Sequence, residues 1–153
     1  MSPVVVGDPK PRPSWDDWGL ILAAAVAERA DCTRRKVGAV MFSPDHRVLG
    51  TGYNGYPAGE PGCLSAGACP RGRLTYDQLP TGTSYVNVDN PCRAIHAEEN
   101  VVLEVAREKR AGATVFITDE PCANCSRILA GSGIARAVWP GGEATYGQAR
   151  AAA

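Results

Sequence analysis

The chain has little of what marks a membrane protein, a secreted protein or a protein that coats nucleic acid. Its 16 Lys and Arg are matched by 16 Asp and Glu, so no net charge is left over at neutral pH. A dedicated nucleic-acid binder normally carries a basic face. The balance therefore argues against nucleic acid as a partner, while leaving room for a local patch that holds one phosphate. The longest apolar run, Leu20 to Ala27, is far short of the ~20 residues that cross a bilayer, and no membrane partner is expected. Residues 1–13 contain a Val triplet but neither a basic leader region nor a small-residue cleavage site, so they read as a Pro-rich disordered arm rather than a signal peptide. There is no internal repeat.

What is present suits one enzyme-sized domain, residues 14–153, with enough apolar content (44%) to build a core without staples. Six cysteines are many for this length, and two of them stand in a metal-type C-x-x-C. That usage points to a reducing cytoplasm and a metal rather than to disulfides.

Ser14, with Asp17 three positions on, reads as a helix N-cap. Trp18, Ile21, Leu22, Ala25 and Val26 then recur at helical spacing, predicting a helix over 15–30. Residues 37–42 and 47–53 read as two strands joined by a turn at Pro44-Asp45-His46. A helix is expected from about Cys92 to Lys109, ended by Gly112, then a strand over 114–118. A third helix should open at Pro121 or Cys122 and stop near Gly131 or Gly133, before a short strand over 135–139. A helix, a hairpin and then β-α alternation make an α/β layered domain with a mixed sheet.

Two short motifs carry the chemistry: His96-Ala97-Glu98 and Pro121-Cys122-Ala123-Asn124-Cys125. The helix leaving His96 and the strand returning toward Cys122 each cover roughly 20 Å, so the two motifs should meet at one sheet edge. His96, Cys122 and Cys125 would then supply three ligands to a catalytic zinc, with water in the fourth place. Cysteines in a helix's first turn are eased toward the thiolate that zinc needs. Glu98, leaving the helix in another direction from His96, suits a proton shuttle for hydrolysis of a C–NH2 group. A lone C-x-x-C is also compatible with a redox pair or half of a structural zinc ribbon, and Glu98 could serve as a fourth ligand in a closed site. The ordered pair of motifs favours the open, catalytic arrangement.

On these residues the chain resembles the cytidine deaminase superfamily, and within it the deoxycytidylate (dCMP) deaminases, from about Trp15 to Trp139. Cytidine deaminases usually place Cys where His96 stands. The run Arg35-Lys36-Val37-Gly38-Ala39-Val40, the turn Gly52-Tyr53-Asn54-Gly55-Tyr56-Pro57 and the helix start His96-Ala97-Glu98-Glu99-Asn100 are similar to the dCMP branch. The resemblance implies a zinc-dependent hydrolase on a three-layer α/β/α cytidine deaminase-like fold with a mixed central sheet. It further implies hydrolysis of dCMP to dUMP and ammonia, a homo-oligomer (dimer or hexamer), and response to dCTP and dTTP through the 52–57 turn. By the same resemblance Asn54 would hold the sugar, while the Ala97 N–H and the carbonyl near Glu120 would read the pyrimidine. Arg34, Lys36 and Arg107, with Arg35, are the cations available for a 5′-phosphate; a merely solvated basic face is the plainer alternative. The family sheet ends on a fifth strand. Here Gly141-Gly142 and the tail Gln148–Ala153 favour a short helix instead, which puts that strand in doubt.

A long insert, 58–91, separates the second strand from the second helix. Loops of this length are uncommon unless functional or tied down. Cys63, Cys69, Cys92 and, before the first strand, Cys32 offer a tie as a second, structural zinc site, as in some deaminases of this branch; small buried thiols are the alternative. Other enzyme readings are deamination of a modified cytidylate, a nucleoside or a purine. A non-catalytic zinc module that binds nucleotide is a further reading, which Glu98 argues against.

Overall fold

The computed structural model describes residues 7, 9–67, 69, 71–80, 82–84 and 91–147. Helix α1 (Trp15–Ala27) opens at Ser14, whose hydroxyl accepts the Asp17 N–H at 3.1 Å. The hairpin strands β1 (Gly38–Phe42) and β2 (Val48–Tyr53) follow, then helices α2 (Ala97–Glu104) and α3 (Arg107–Arg110). Strand β3 (Thr114–Ile117), helix α4 (Ala123–Gly131) and strands β4 (Arg136–Trp139) and β5 (Gly142–Thr145) complete the order.

Every residue of β1 is buried, which places it inside the sheet rather than at an edge. The order is β2-β1-β3-β4-β5, with β3 and β4 parallel and the other neighbours antiparallel. Side chains alternate across this sheet into two cores. Ala39, Met41, Val115 and Ile117 pack with Ala97, Val101 and Leu129 of α2 and α4. Val40, Phe42, Phe116 and Val138 pack with Ala23 of α1. The result is the expected three-layer α/β/α arrangement.

Three expectations need correction. First, β5 exists, paired antiparallel to β4 from Arg136↔Thr145 to Trp139↔Gly142. The Gly141 backbone, at φ 85°, makes a tight turn that the two glycines allow, so they mark a hairpin rather than a break. The tail from Gln148 lies outside the described residues, as do residues 1–6 and 8 of the predicted arm. Second, the helix foreseen over 92–109 is shorter and broken. Ile95 is instead bridged to Gly55, and Val105 is extended at φ −103°, ψ 126°. Arg110 takes the Val102 and Val105 carbonyls at 2.6 and 3.0 Å, satisfying groups a continuing helix would have used.

Third, the inward face of α1 is shifted: Trp18, Leu22 and Val26 of the expected face pack against the core, but Ile21 and Ala25 do not. Gly19, Ala23 and Ala27 are buried, while Ile21 is 58% exposed. A Cβ on Gly19 would lie 2.4 Å from the Phe116 ring, so the helix sits on the sheet through its smallest residues. Among the described residues, the insert contains neither helix nor strand, and no helix is long and apolar enough to cross a membrane.

Candidate active site

Three chain segments converge at one edge of the sheet: the β2 exit, the start of α2 and the start of α4. The β2 exit bridges Gly55 to Ile95, with reciprocal bonds of 3.1 and 2.8 Å, and this sets His96 at the mouth of α2. His96 is the N-cap of α2, and its N–H reaches the Glu99 carboxylate at 3.4 Å. Cys122 is the N-cap of α4, its sulfur accepting the Cys125 N–H at 3.4 Å. The two helix mouths stand side by side, as the lengths of the intervening elements require.

His96 Nδ1 lies 3.7 Å from Cys122 Sγ and 3.3 Å from Cys125 Sγ. Tetrahedral zinc bound at ~2.3 Å to sulfur and ~2.0–2.1 Å to nitrogen sets such atoms about 3.5 Å apart. The donor set therefore fits zinc. Among the described residues this is the group of His, Cys, Asp or Glu whose ligand atoms all lie within 4.8 Å of one another.

Glu98 is only 4% exposed, in the first turn of α2. Burial holds its carboxyl above the ordinary carboxylate range, against the pull of its own backbone N–H and of His96. Burial also drives the Cys125 thiol far up, with Glu98 and Cys122 adding to the effect. A buried thiol whose ionisation is opposed by burial and by the neighbouring carboxyl is one that a bound cation would bring to the thiolate.

The residues assigned to substrate fare unevenly. Ala97 is buried at the first position of α2, and Glu120 is exposed just before Pro121. Asn54 is 8% exposed and has a structural duty of its own. Its Oδ1 accepts the Val37 N–H and its Nδ2 donates to the Arg35 carbonyl, both at 2.8 Å. One lone pair and one N–H remain for a ligand. The Arg34 guanidinium donates to the Leu74 carbonyl at 2.7 Å and lies 4.7 Å from the Tyr76 ring centroid. Lys36 is turned to the Glu28 carbonyl at the end of α1. Arg107 is not gathered here, since it stands beyond the far end of α2, roughly 12 Å of helical rise from His96.

The four remaining cysteines are free thiols and neighbours, but their sulfurs are not closed to the spacing of the first group. The Cys63 and Cys69 thiols are hydrogen-bonded, and burial raises Cys63 to about 11. Cys92 is raised by burial, with Cys32 and Cys69 nearby.

Two features were missed in the sequence. Asp119 pairs with Arg35 at 2.9 Å, tying the basic segment to the loop that carries Cys122. Tyr146, next after β5, has a buried hydroxyl with no hydrogen-bond partner among the described residues, and burial and Glu98 together oppose its ionisation. No local motif announces a contact of the first kind. The second was hidden by the misread last strand.

A model of the cytidine and deoxycytidylate deaminase zinc-binding region matches residues 13–140. The deoxycytidylate deaminase of Mycobacterium phage D29 is 49% identical, with 84% of this chain covering 96% of that protein. The deoxycytidylate deaminase of Schizosaccharomyces pombe is 36% identical, but there 84% of this chain spans only 37% of the relative. In fold, the chain is similar to the dCMP deaminase of cyanophage S-TIM5 in complex with dCMP and dUMP. The TM-score is 0.61 at 22% identity, over 85% of this chain and 83% of that one.

Proposed function

The chain belongs to the cytidine and deoxycytidylate deaminase zinc-binding family, and from that premise we propose that it converts dCMP and water to dUMP and ammonia. The observation that carries this reading is the His96, Cys122 and Cys125 cluster with buried Glu98 beside it. The likeness to the phage D29 enzyme supports the choice of nucleotide.

In this reading His96, Cys122 and Cys125 hold zinc, which when bound supplies an acidified water as nucleophile at neutral pH. Glu98 is the catalytic proton carrier. Its carboxylate takes the proton from the attacking water, passes it to ring N3, and then delivers a proton to the departing amine. Burial is what lets the carboxyl hold a proton between these steps. The Ala97 N–H and the carbonyl near Glu120 orient the pyrimidine. Asn54 offers its spare N–H and lone pair to the sugar. Arg34, with Arg35, faces the 5′-phosphate.

The reading extends to a cytoplasmic homo-oligomer, dimer or hexamer, responsive to dCTP and dTTP. It also extends to a second, structural zinc on Cys32, Cys63, Cys69 and Cys92. A deamination screen over cytosine, cytidine, deoxycytidine, CMP, dCMP, dCTP and guanine tests it, and dCMP should give the highest kcat/KM. Changing Arg34 to Ala should erode the preference for dCMP over deoxycytidine, while Arg107→Ala should leave it unchanged. Equal turnover of nucleoside and nucleotide by the unaltered protein overturns the substrate assignment.

A further inference from the structure

We infer that Tyr76, in the insert, is a positioning residue. Its ring holds the Arg34 guanidinium in the direction that receives the nucleotide's 5′-phosphate, and so helps tell nucleotide from nucleoside. The inference rests on the phosphate assignment given above and adds the residue that prepares that cation for its anion.

The three consecutive basic residues are held in different ways. Arg35 pairs with Asp119 at 2.9 Å, and Lys36 is turned to the Glu28 carbonyl. Arg34 is half-buried and pairs with no carboxylate among the described residues. Its side chain meets a carbonyl and an aromatic face instead. Nη1 donates to the Leu74 carbonyl at 2.7 Å, and Cζ stands 4.7 Å from the Tyr76 ring centroid. Neither partner carries charge, so the guanidinium is oriented without being neutralised. Nε and Nη2 then offer the planar fork that matches a phosphate. The neighbouring Arg35 carbonyl accepts the Nδ2 of Asn54, which sets Arg34 beside the residue assigned to the sugar.

The ring is placed by the turn that carries it. Thr75 Oγ1 accepts the Gln78 N–H at 3.2 Å, while Gln78 Oε1 accepts the Thr75 N–H at 2.9 Å. Such a reciprocal pair satisfies the donors that open a helical turn. The Leu79 N–H closes that turn on the Thr75 carbonyl at 2.9 Å, and the Leu79 side chain is buried. Arg71, also buried, donates to the carbonyls of Thr83 and Ser84 at 3.1 and 2.9 Å. Leu79 and Arg71 thus fix the loop from within, while Tyr76, directly after Thr75, is left 68% exposed. The ring contributes little to the core, and its described contact is the Arg34 cation.

An arginine free in solvent spreads over many rotamers, and ordering it on binding lowers affinity. Stacking on Tyr76 orders Arg34 before the nucleotide arrives. Cation–π attraction at an exposed site is modest, so the effect is a several-fold change in affinity. It does not reach the chemistry, because the zinc ligands and Glu98 stand at the mouths of α2 and α4.

The test compares the zinc-loaded protein with Tyr76→Ala, Tyr76→Phe and Arg34→Ala. Tyr76→Ala should raise KM for dCMP by about three- to tenfold with kcat within about twofold, and weaken dUMP binding by calorimetry by the same factor. Tyr76→Phe keeps the ring and should restore both values. Added to Arg34→Ala, Tyr76→Ala should have no further effect. A readout that needs no substrate is the NMR resonance of the Arg34 Nε proton, which the ring current displaces. The displacement should vanish in Tyr76→Ala and persist in Tyr76→Phe. An unchanged KM in Tyr76→Ala overturns the inference, as does Phe as impaired as Ala, a loss confined to kcat, full additivity with Arg34→Ala, or a resonance indifferent to the ring. Failure of the phosphate reading shows separately, as an Arg34→Ala variant that keeps its preference for dCMP over deoxycytidine, and the hold of Tyr76 on Arg34 is then decided on the resonance.

Discussion

Glu98 and Tyr146 are buried polar groups on the same core, and the two are left in opposite states. Glu98 has a reason to be buried: a carboxyl that must accept and return a proton works best when its two forms are close in free energy, and burial raises it toward that balance. Glu98→Ala should therefore lower kcat by about 10²–10⁴-fold, while zinc content stays at the unaltered level because no ligand is lost. Loss of metal in that variant would reassign Glu98 to the coordination shell. Tyr146 carries a buried hydroxyl that no described residue satisfies. Such a group costs about 1–3 kcal/mol, so Tyr146→Phe should raise the urea midpoint. A lower midpoint would mean that the hydroxyl has a partner after all.

At the level of elements, the site depends on how closely α2 approaches the sheet. A Cβ on Gly52 would lie 2.4 Å from the Ala97 carbonyl and 2.5 Å from the Val101 N–H, both backbone atoms of α2. Gly52→Ala should therefore displace the helix that begins with His96, costing about 1–3 kcal/mol and lowering zinc affinity with it. Gly131→Ala is the control. It has open space around it at the end of α4 and should be neutral or slightly stabilising.

The same close approach explains what the sequence could and could not disclose. The motif residues were legible because a metal imposes its own spacing, and helix and strand lengths follow from fixed rises per residue. The shift of α1's inward face was not, because hydrophobic periodicity favours Ile21 over Gly19, whereas the sheet selects the residue small enough to lie on Phe116. The break at Val105 was hidden because Arg110, five residues on, ends the helix through its side chain. The two glycines before β5 suited a break as well as a hairpin. Pairing with β4 decides between them, and that partner is a tertiary fact.

Across the whole molecule, an ionic tie joins the first helix to the last strands. The Arg136 guanidinium donates to both carboxylate oxygens of Asp16, with its first contact at 2.9 Å, and to Glu143 at 2.9 Å. It therefore fixes the start of α1, β4 and β5 together, and β5 delivers Tyr146 to the neighbourhood of Glu98. The hydrogen bond from Arg136 holds the Asp16 carboxyl below its usual value against the opposing effect of burial, while Arg136 itself is raised by the pair. A carboxyl depressed in the folded state contributes stability above its unfolded value, near ~3.9, and loses that contribution as pH falls through the folded one. The pair is partly exposed, so solvent and salt reduce its worth. Asp16→Asn should consequently have a lower urea midpoint than the unaltered protein at pH 7, with the gap narrowing as the pH drops below ~4 and as salt is added. Because the amide that replaces the carboxyl cannot titrate, the variant's own midpoint should depend less on pH across that window. A gap that stays constant from neutral pH down to about pH 3 would show that the tie works through packing rather than charge.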